Sequence, residues 1–247
     1  MRLFHMDQGT GKEVLVVHGG PGFPPAKPWS AATLLSDPYR LIFYHQRGCG
    51  QSTRPFERAP KRGVNAFSTL HDKLGLPAHI GDIERIRRIL GKDKLVLMGH
   101  SFGGLIAALY ASEFPEHVTA LVLVAPAPRF ATFYAAATGL SPTEGEAAVA
   151  GAGGFMPYAI YLSMGKRHDW RGALQRVTSP TLVIQGDADL QTVAQAEGFR
   201  SLLPNARLAV MPGVRHFPFE EQPAEFAHLV RDFLDTTLST PRVRVLQ

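Results

Sequence analysis

Short apolar runs recur along the chain and alternate with longer stretches of helical periodicity. Each run is apolar at both odd and even positions, which is typical of strands buried on both faces of a parallel sheet. Six such runs predict strands over residues 14–17, 40–44, 94–98, 120–124, 181–185 and 207–211. Between them, apolar residues at helical spacing predict helices over residues 79–90, 102–114 and 223–234.

Strands that alternate with long helices indicate an α/β fold with a mostly parallel central sheet and helices on both faces. Residues 127–177 break the alternation, because they contain no strand-like run and are rich in Ala and Gly over residues 135–154. A segment of about fifty residues between two core strands is too long for a plain loop. We therefore predict a short helical cap or lid over residues 127–177 and a core formed by residues 1–126 and 178–247.

The composition is that of an ordinary globular protein. Of 247 residues, 45% are apolar and 19% are charged, which excludes a disordered chain. The net charge of +5 comes from scattered Lys and Arg, without the clustered patch that nucleic-acid binding requires. No apolar run reaches the roughly 18 residues of a membrane span, and the first residues lack the apolar region of a signal peptide. We therefore expect no nucleic-acid partner, no membrane partner and a cytoplasmic location.

One motif, Gly99-His-Ser-Phe-Gly103, has the form Gly-x-Ser-x-Gly and lies between a predicted strand and a predicted helix. A sharp strand-to-helix turn needs small residues on both sides of the serine, because the backbone is crowded there. Such a turn lifts the hydroxyl of Ser101 above the strand end and directs the first helical N–H groups at the same point. The motif therefore predicts Ser101 as a nucleophile.

An acyl-transfer serine needs a general base and an acid that orients the base. His216 follows the last predicted strand, so it lies at the edge of the sheet where ligands bind. Asp187 and Asp189 follow the strand before it. We favour Asp189 as the acid and assign Asp187 to capping the turn. The chain order Ser101, Asp189, His216 is the one expected of a hydrolase sheet.

The stretch His18-Gly-Gly-Pro-Gly22 follows the first predicted strand. A tetrahedral oxyanion needs two backbone donors, one from the residue after the nucleophile and one from an early strand-end loop. Phe102 supplies the first donor, and Gly20 supplies the second because Pro21 has no N–H. We interpret His18 as a structural residue that fixes this loop rather than as a second base.

Aromatic side chains of the predicted cap, together with the residue before the nucleophile, are candidates for a mainly apolar substrate pocket. These candidates are His100, Phe130, Phe133, Tyr134 and Tyr158. The sequence contains no convincing metal-ligand set and no Gly-rich phosphate loop, so we expect no metal and no cofactor. Cys49, the single cysteine, lacks an elbow of its own and is interpreted as structural.

These residues together resemble the α/β-hydrolase superfamily over nearly the whole chain. The stretch His18 to Gly22, followed by Gln46-Arg-Gly-Cys-Gly-Gln-Ser52, is similar to the proline iminopeptidase group of serine peptidases. The stretch from Gly213 to Pro223 resembles the superfamily's catalytic-histidine loop. The resemblance implies the α/β-hydrolase fold, with Ser101 as nucleophile, His216 as base and Asp189 as acid.

The chain differs from the proline iminopeptidase group at three points. His45 stands where that group has Asp, the elbow reads Gly-His-Ser-Phe-Gly instead of Gly-Gly-Ser-Trp-Gly, and the predicted cap is much shorter. The main hypothesis is therefore a cofactor-free serine hydrolase that cleaves small-molecule carboxylic esters or small activated amides. Three alternatives stay open: a proline iminopeptidase-like aminopeptidase, a hydrolase-fold binding protein with weak turnover, and a lyase or carbon–carbon hydrolase on the same residues.

Overall fold

The computed structural model of the protein describes residues 1–55, 68–69, 72–127 and 170–239. The strands in these ranges are β1 (His5–Gly9), β2 (Lys12–Val17), β3 (Tyr39–Tyr44), β4 (Leu95–His100), β5 (Val118–Val124), β6 (Thr181–Gly186) and β7 (Ala206–Met211). They form one sheet in the order β1-β3-β2-β4-β5-β6-β7. All neighbouring pairs are parallel except β1 and β3, which are antiparallel.

The central strands are buried on both faces because their side chains alternate between two hydrophobic cores. On β2, Leu15 and Val17 face one core, and Val14 and Val16 face the other. We refer to these as the Leu15 core and the Val14 core. Burial on both faces explains the unbroken apolar runs in the sequence, and it is the usual environment of a parallel sheet.

Helices cover both faces of the sheet. In the described ranges they are α1 (Ser30–Leu35), α2 (Leu76–Ile89), α3 (Phe102–Glu113), α4 (Trp170–Leu174), α5 (Val193–Leu202), α6 (Pro218–Glu221) and α7 (Pro223–Ser239), with a 3-10 turn at Pro115–His117. Helices α2 to α5 contribute to the Leu15 core, and α1, α6 and α7 contribute to the Val14 core. None of these described helices combines the length and apolar character needed to cross a bilayer.

The predicted fold, a mostly parallel sheet with helices on both faces, is confirmed. All six predicted strands and all three predicted helices coincide with observed elements. The sequence pattern misses β1 because this edge strand carries the polar residues Asp7 and Gln8 and is only partly buried. It also misses α5, which buries only Ala196 and Phe199 and therefore shows little apolar periodicity.

The predicted cap over residues 127–177 lies largely outside the described residues, which omit 128–169. At its end, helix α4 places Ala173 and Leu174 in the Leu15 core, and Val177 is buried there as well. The division of the chain into a core and a cap stays a prediction.

Parallel strands bring the loops that follow their carboxyl ends to one edge of the sheet, where α/β proteins bind ligands. At this edge, His18 follows β2, Ser101 follows β4, Asp187 follows β6 and Pro212 follows β7. Four segments that are far apart in the sequence therefore converge, and the candidate chemistry lies among them.

Candidate active site

Ser101 occupies the sharp turn between strand β4 and helix α3, and Phe102 begins the helix directly after it. The serine backbone has φ 52° and ψ −121°, a conformation that costs an L-residue about 1–3 kcal/mol. Its N–H donates to the carbonyl of Val124 at 2.8 Å, and its carbonyl accepts the N–H of Gly104 at 2.9 Å and of Ala127 at 3.0 Å. The neighbouring strand and the helix therefore hold the strained serine in place.

The glycines of the motif let this turn pack against other backbone. A β-carbon on Gly99 would lie 2.4 Å from the carbonyl oxygen of Gly103, and one on Gly103 would lie 2.1 Å from that of Val17. Only glycine fits at either position, because side chains do not approach backbone so closely. The contact of Gly103 with Val17 also presses helix α3 against the end of β2.

His216 lies in the loop between β7 and α6 and reaches both Ser101 and Asp189. Its Nε2 lies 3.0 Å from Oγ of Ser101, and its Nδ1 lies 2.8 Å from Oδ2 of Asp189. A carboxylate can only accept, so Nδ1 of His216 donates to Asp189, and Nε2 of the neutral ring accepts from the serine hydroxyl. The structure thus joins these three side chains in one hydrogen-bonded chain.

The carboxylate of Asp189 is buried and held by further donors. Nε2 of Gln185 donates to Oδ2 at 3.0 Å, and the N–H of Gln191 donates to Oδ1 at 3.0 Å. Burial alone would raise the pKa of Asp189, but hydrogen bonds from His216 and from these two residues outweigh burial, so the pKa lies below its usual value. Asp189 is therefore ionised at neutral pH.

The other acid of this loop, Asp187, makes a different contact. Its Oδ1 accepts the N–H of Gly213 at 2.7 Å, in the turn that follows β7. The carboxylate thus satisfies a backbone donor of the turn after β7, whereas we predicted that it would cap its own turn after β6. Of the two candidate acids, Asp189 contacts the imidazole of His216.

The loop after β2 lies directly against the serine. A β-carbon on Gly19 would lie 3.0 Å from Cβ of Ser101 and 2.9 Å from Nδ1 of His100. Gly20 has φ 131°, and a β-carbon there would lie 2.4 Å from the backbone nitrogen of Gly22. Gly19 therefore lets main chain lie directly against Ser101, and the oxyanion role of Gly20 stays a prediction.

His18 holds this loop through backbone contacts. Its Nδ1 donates to the carbonyl of Gly19 at 2.7 Å, and its Nε2 accepts the N–H of Gln46 at 3.0 Å. The side-chain amide of Gln46 donates in turn to the carbonyl of His18 at 2.6 Å. Burial lowers the pKa of His18 to about 4, so the ring is neutral at pH 7. These contacts suit the structural role that we predicted for His18.

His100, a predicted substrate-binding residue, is buried beneath the loop that carries His216. Its Nε2 donates to the carbonyl oxygen of His216 at 2.8 Å. Its ring packs against Trp29, Phe217 and Phe219, with centroids 6.1, 5.3 and 4.9 Å away. Burial, followed by the nearby His216, lowers the pKa of His100 to about 3. The neutral ring of His100 thus packs against the His216 loop and donates a hydrogen bond to its backbone.

Glu221, the last residue of helix α6, has contacts at the site that the sequence reasoning missed. Its Oε2 accepts the N–H of Arg215 at 3.1 Å, and its Oε1 accepts the N–H of Phe217 at 3.0 Å. These amides flank His216, so one carboxylate holds the loop on both sides of the imidazole. Glu221 lies in the stretch Gly213 to Pro223 that resembles a catalytic-histidine loop, but residue types do not reveal its contacts because its partners are backbone groups.

The four aromatic candidates of the cap lie outside the described residues: Phe130, Phe133, Tyr134 and Tyr158. Cys49 is buried, and burial raises the pKa of its thiol to about 12, so it is protonated at neutral pH. Within the described ranges, no three His, Cys, Asp or Glu side chains are grouped so as to hold a metal ion.

Comparison with known proteins identifies the family. Residues 12–141, more than half of the chain, match the family model of the alpha/beta hydrolase fold. The chain therefore belongs to the alpha/beta hydrolase family, as its resemblance to that superfamily predicted. The class of activity that this membership supports is that of a hydrolase.

Individual relatives are similar over almost their whole length. A proline iminopeptidase from Heyndrickxia coagulans is 24% identical, with 93% of each chain covered. One from Saccharolobus solfataricus is 22% identical over 96% of this chain and 89% of the relative. Among solved structures, a malate-bound thermophilic esterase from Thermogutta terrifontis has a TM-score of 0.71 and 25% identity, covering 95% of this chain and 93% of its own.

The surroundings of two helical glycines predict opposite effects of substitution by alanine on stability. Gly103→Ala places a methyl group against the carbonyl of Val17, so we expect the free energy of unfolding to fall by about 2 kcal/mol or more. Gly198→Ala in helix α5 meets nothing within 4 Å, so the unfolding free energy should rise by about 0.5–1 kcal/mol. Urea unfolding measures both. Equal stability of Gly103→Ala and wild type would contradict the close backbone contact.

Proposed function

We propose that this protein is a serine hydrolase that cleaves carboxylic esters or small activated amides through an acyl-enzyme intermediate. The observation that carries the proposal is the hydrogen-bonded chain from Asp189 through His216 to Ser101, with the serine on a strained strand-to-helix turn. That arrangement joins a nucleophile, a base and an acid that orients the base, which is the constellation used in acyl transfer.

In the acylation step, Oγ of Ser101 attacks the substrate carbonyl carbon while Nε2 of His216 takes the hydroxyl proton. The Nδ1–H of His216 stays bonded to Asp189, whose ionised carboxylate stabilises the imidazolium. The imidazolium then gives its proton to the leaving alcohol or amine, and the serine ester remains. This sequence needs the histidine tautomer that the Asp189 contact selects.

The developing oxyanion is assigned to the backbone amides of Gly20 and Phe102. Phe102 belongs to the first turn of helix α3, where N–H groups point out of the helix end and favour negative charge. Gly20 belongs to the loop that lies against Ser101. In the second half of the reaction, His216 takes a proton from the water that attacks the acyl-serine. It returns this proton to Oγ of Ser101 as the bond to the acyl carbon breaks and the acid leaves.

Two observations favour esters as the main substrate class. Large apolar side chains are exposed beside three of the site loops: Phe23 (64%), Leu190 (91%) and Phe217 (49%). Such side chains suit an apolar acyl or alcohol group. The thermophilic esterase from Thermogutta terrifontis is similar in structure over nearly the whole chain.

Replacement of the nucleophile tests the proposal directly. Ser101→Ala should reduce turnover of a short-chain p-nitrophenyl ester by roughly 10⁴–10⁶-fold, because the triad acts as a unit. Ser112→Ala is the matched control, since its hydroxyl bonds only the carbonyl of Leu109 within the same helix, and it should keep wild-type rates. Retained activity in Ser101→Ala would contradict the proposal. Fluorophosphonate labelling of the wild type without turnover on an ester panel would indicate a binding protein instead.

The two acids of the β6–β7 region give a second test. Asp189→Asn should lower kcat by about 10⁴-fold, because the amide selects the wrong tautomer of His216. Asp187→Asn makes the same change two residues away, at a side chain that bonds Gly213, so kcat should stay within a few-fold of wild type. Steady-state kinetics on the same ester distinguish them. A larger loss in Asp187→Asn would refute the assignment of Asp189.

The second candidate function is an aminopeptidase that releases N-terminal proline, because proline iminopeptidases are similar over 93% or more of this chain. His45, which replaces the Asp of that group, lies with Nε2 3.2 Å from the carbonyl of Pro25, and its Nδ1 accepts the N–H of Gln51 at 3.1 Å. Backbone thus occupies both nitrogens of the ring, and the ring supplies no negative charge for a substrate amine.

A comparison of three substrates separates the two functions. We expect an aryl ester to be cleaved with the highest kcat/KM, and a prolyl arylamide to be cleaved no better than its N-blocked form. The reason is that an aminopeptidase requires the free amine, whereas an esterase does not. A strong preference for the unblocked prolyl arylamide would favour the aminopeptidase.

A further inference from the structure

The loop that carries His216 has no regular secondary structure, so the position of its imidazole depends on specific contacts. One carboxylate accepts hydrogen bonds from backbone amides on both sides of the histidine. Oε2 of Glu221 accepts the N–H of Arg215, and Oε1 accepts the N–H of Phe217. The two residues on either side of His216 are therefore fixed to the same side chain.

The peptide group between His216 and Phe217 is held at both of its ends. Its N–H donates to Oε1 of Glu221 at 3.0 Å, and its carbonyl accepts from Nε2 of His100 at 2.8 Å. A peptide group is planar, so these two bonds fix its orientation. Because the α-carbon of His216 belongs to this plane, the bonds also fix the point from which the imidazole extends towards Ser101.

From these contacts we infer that Glu221 is a positioning residue for His216, one that sets the distance between Nε2 and the hydroxyl of Ser101. The inference rests on the proposed function, in which His216 is the general base. Small errors at this distance are costly, since a displacement of about 1 Å can reduce a rate by roughly 10²-fold.

An ionised carboxylate is required here because both of its partners donate. Burial alone would raise the pKa of Glu221, but the hydrogen bonds from the amides of Phe217 and Arg215 outweigh burial and lower it. A glutamine has one oxygen and one NH₂ group, so it would leave one flanking N–H facing a donor. The ion pair with the Arg215 side chain adds little, because that side chain is 76% exposed.

The adjacent residue provides a matched control. Glu220 lies on the same helix with the same charge, but its carboxylate accepts the N–H and the hydroxyl of Ser30. Glu221→Gln and Glu220→Gln therefore make the same chemical change one residue apart. Only the first disturbs the amides beside His216.

The experiment measures kcat and KM on an aryl ester, fluorophosphonate labelling of Ser101 and thermal unfolding, in wild-type and His216→Ala backgrounds. We expect Glu221→Gln to lower kcat by about 10–100-fold, to slow labelling in parallel and to leave KM near the wild-type value. Glu220→Gln should keep wild-type kinetics. In the His216→Ala background, Glu221→Gln should cause no further loss, because the group through which it acts is gone.

Wild-type kcat in Glu221→Gln, or an equal loss in Glu220→Gln, would overturn the inference. An equal fold-decrease in kcat with and without His216 would overturn it as well, since Glu221 would then act through general folding.

If Glu221→Gln unfolds, Glu221→Asp replaces it. The aspartate keeps the charge but is too short to reach both amides, so a wild-type kcat there would also be decisive against the inference. A wild type that neither labels nor turns over would instead refute the proposed function.

Discussion

The approach of Gly103 to the carbonyl of Val17 is the contact on which the rest of the site depends. It presses the first turn of helix α3 against the end of strand β2, and a single methyl group would prevent it. Beside this contact, Ser101 has a positive φ, and its N–H donates to the carbonyl of Val124 at the end of β5. The strain is local, whereas the packing that maintains it extends across three neighbouring strands. The backbone geometry of Ser101 thus depends on the packing of the sheet as well as on its own turn.

Carboxylates hold the irregular backbone around the site. Loops leave amides without the backbone partners that helices and sheets provide. Asp187 supplies one for Gly213, and Glu221 supplies two for Arg215 and Phe217. Asp187 links the loop after β6 to the turn after β7, and Glu221 links helix α6 to the His216 loop. Both use charge-assisted bonds, which are stronger than bonds between neutral groups. This edge of the sheet therefore contains more acids than the proposed chemistry uses.

The sequence was informative where residue type determines structure. The motif around Ser101 needs glycine at positions 99 and 103, so its spacing revealed the turn, and the position of His216 after a strand revealed a loop at the same edge. Glu221 could not be found in this way, because its partners are main-chain groups common to every residue. Strand β1 was missed for a related reason. As an edge strand it is only partly buried, so its sequence does not form an apolar run.

The two cores of the sheet use segments from different parts of the sequence. Within the described residues, the Leu15 core uses side chains up to Leu208, whereas the Val14 core needs Phe226, Val230 and Leu234 from helix α7. A ribosome makes the chain from its N-terminus, so the segments described in the Leu15 core are synthesised before helix α7. During that interval the face lined by Val14 and Val16 exposes apolar surface, the condition under which nascent chains associate. Packing of helix α7 therefore covers apolar side chains on this face of the sheet, and it is the last of the described elements along the chain.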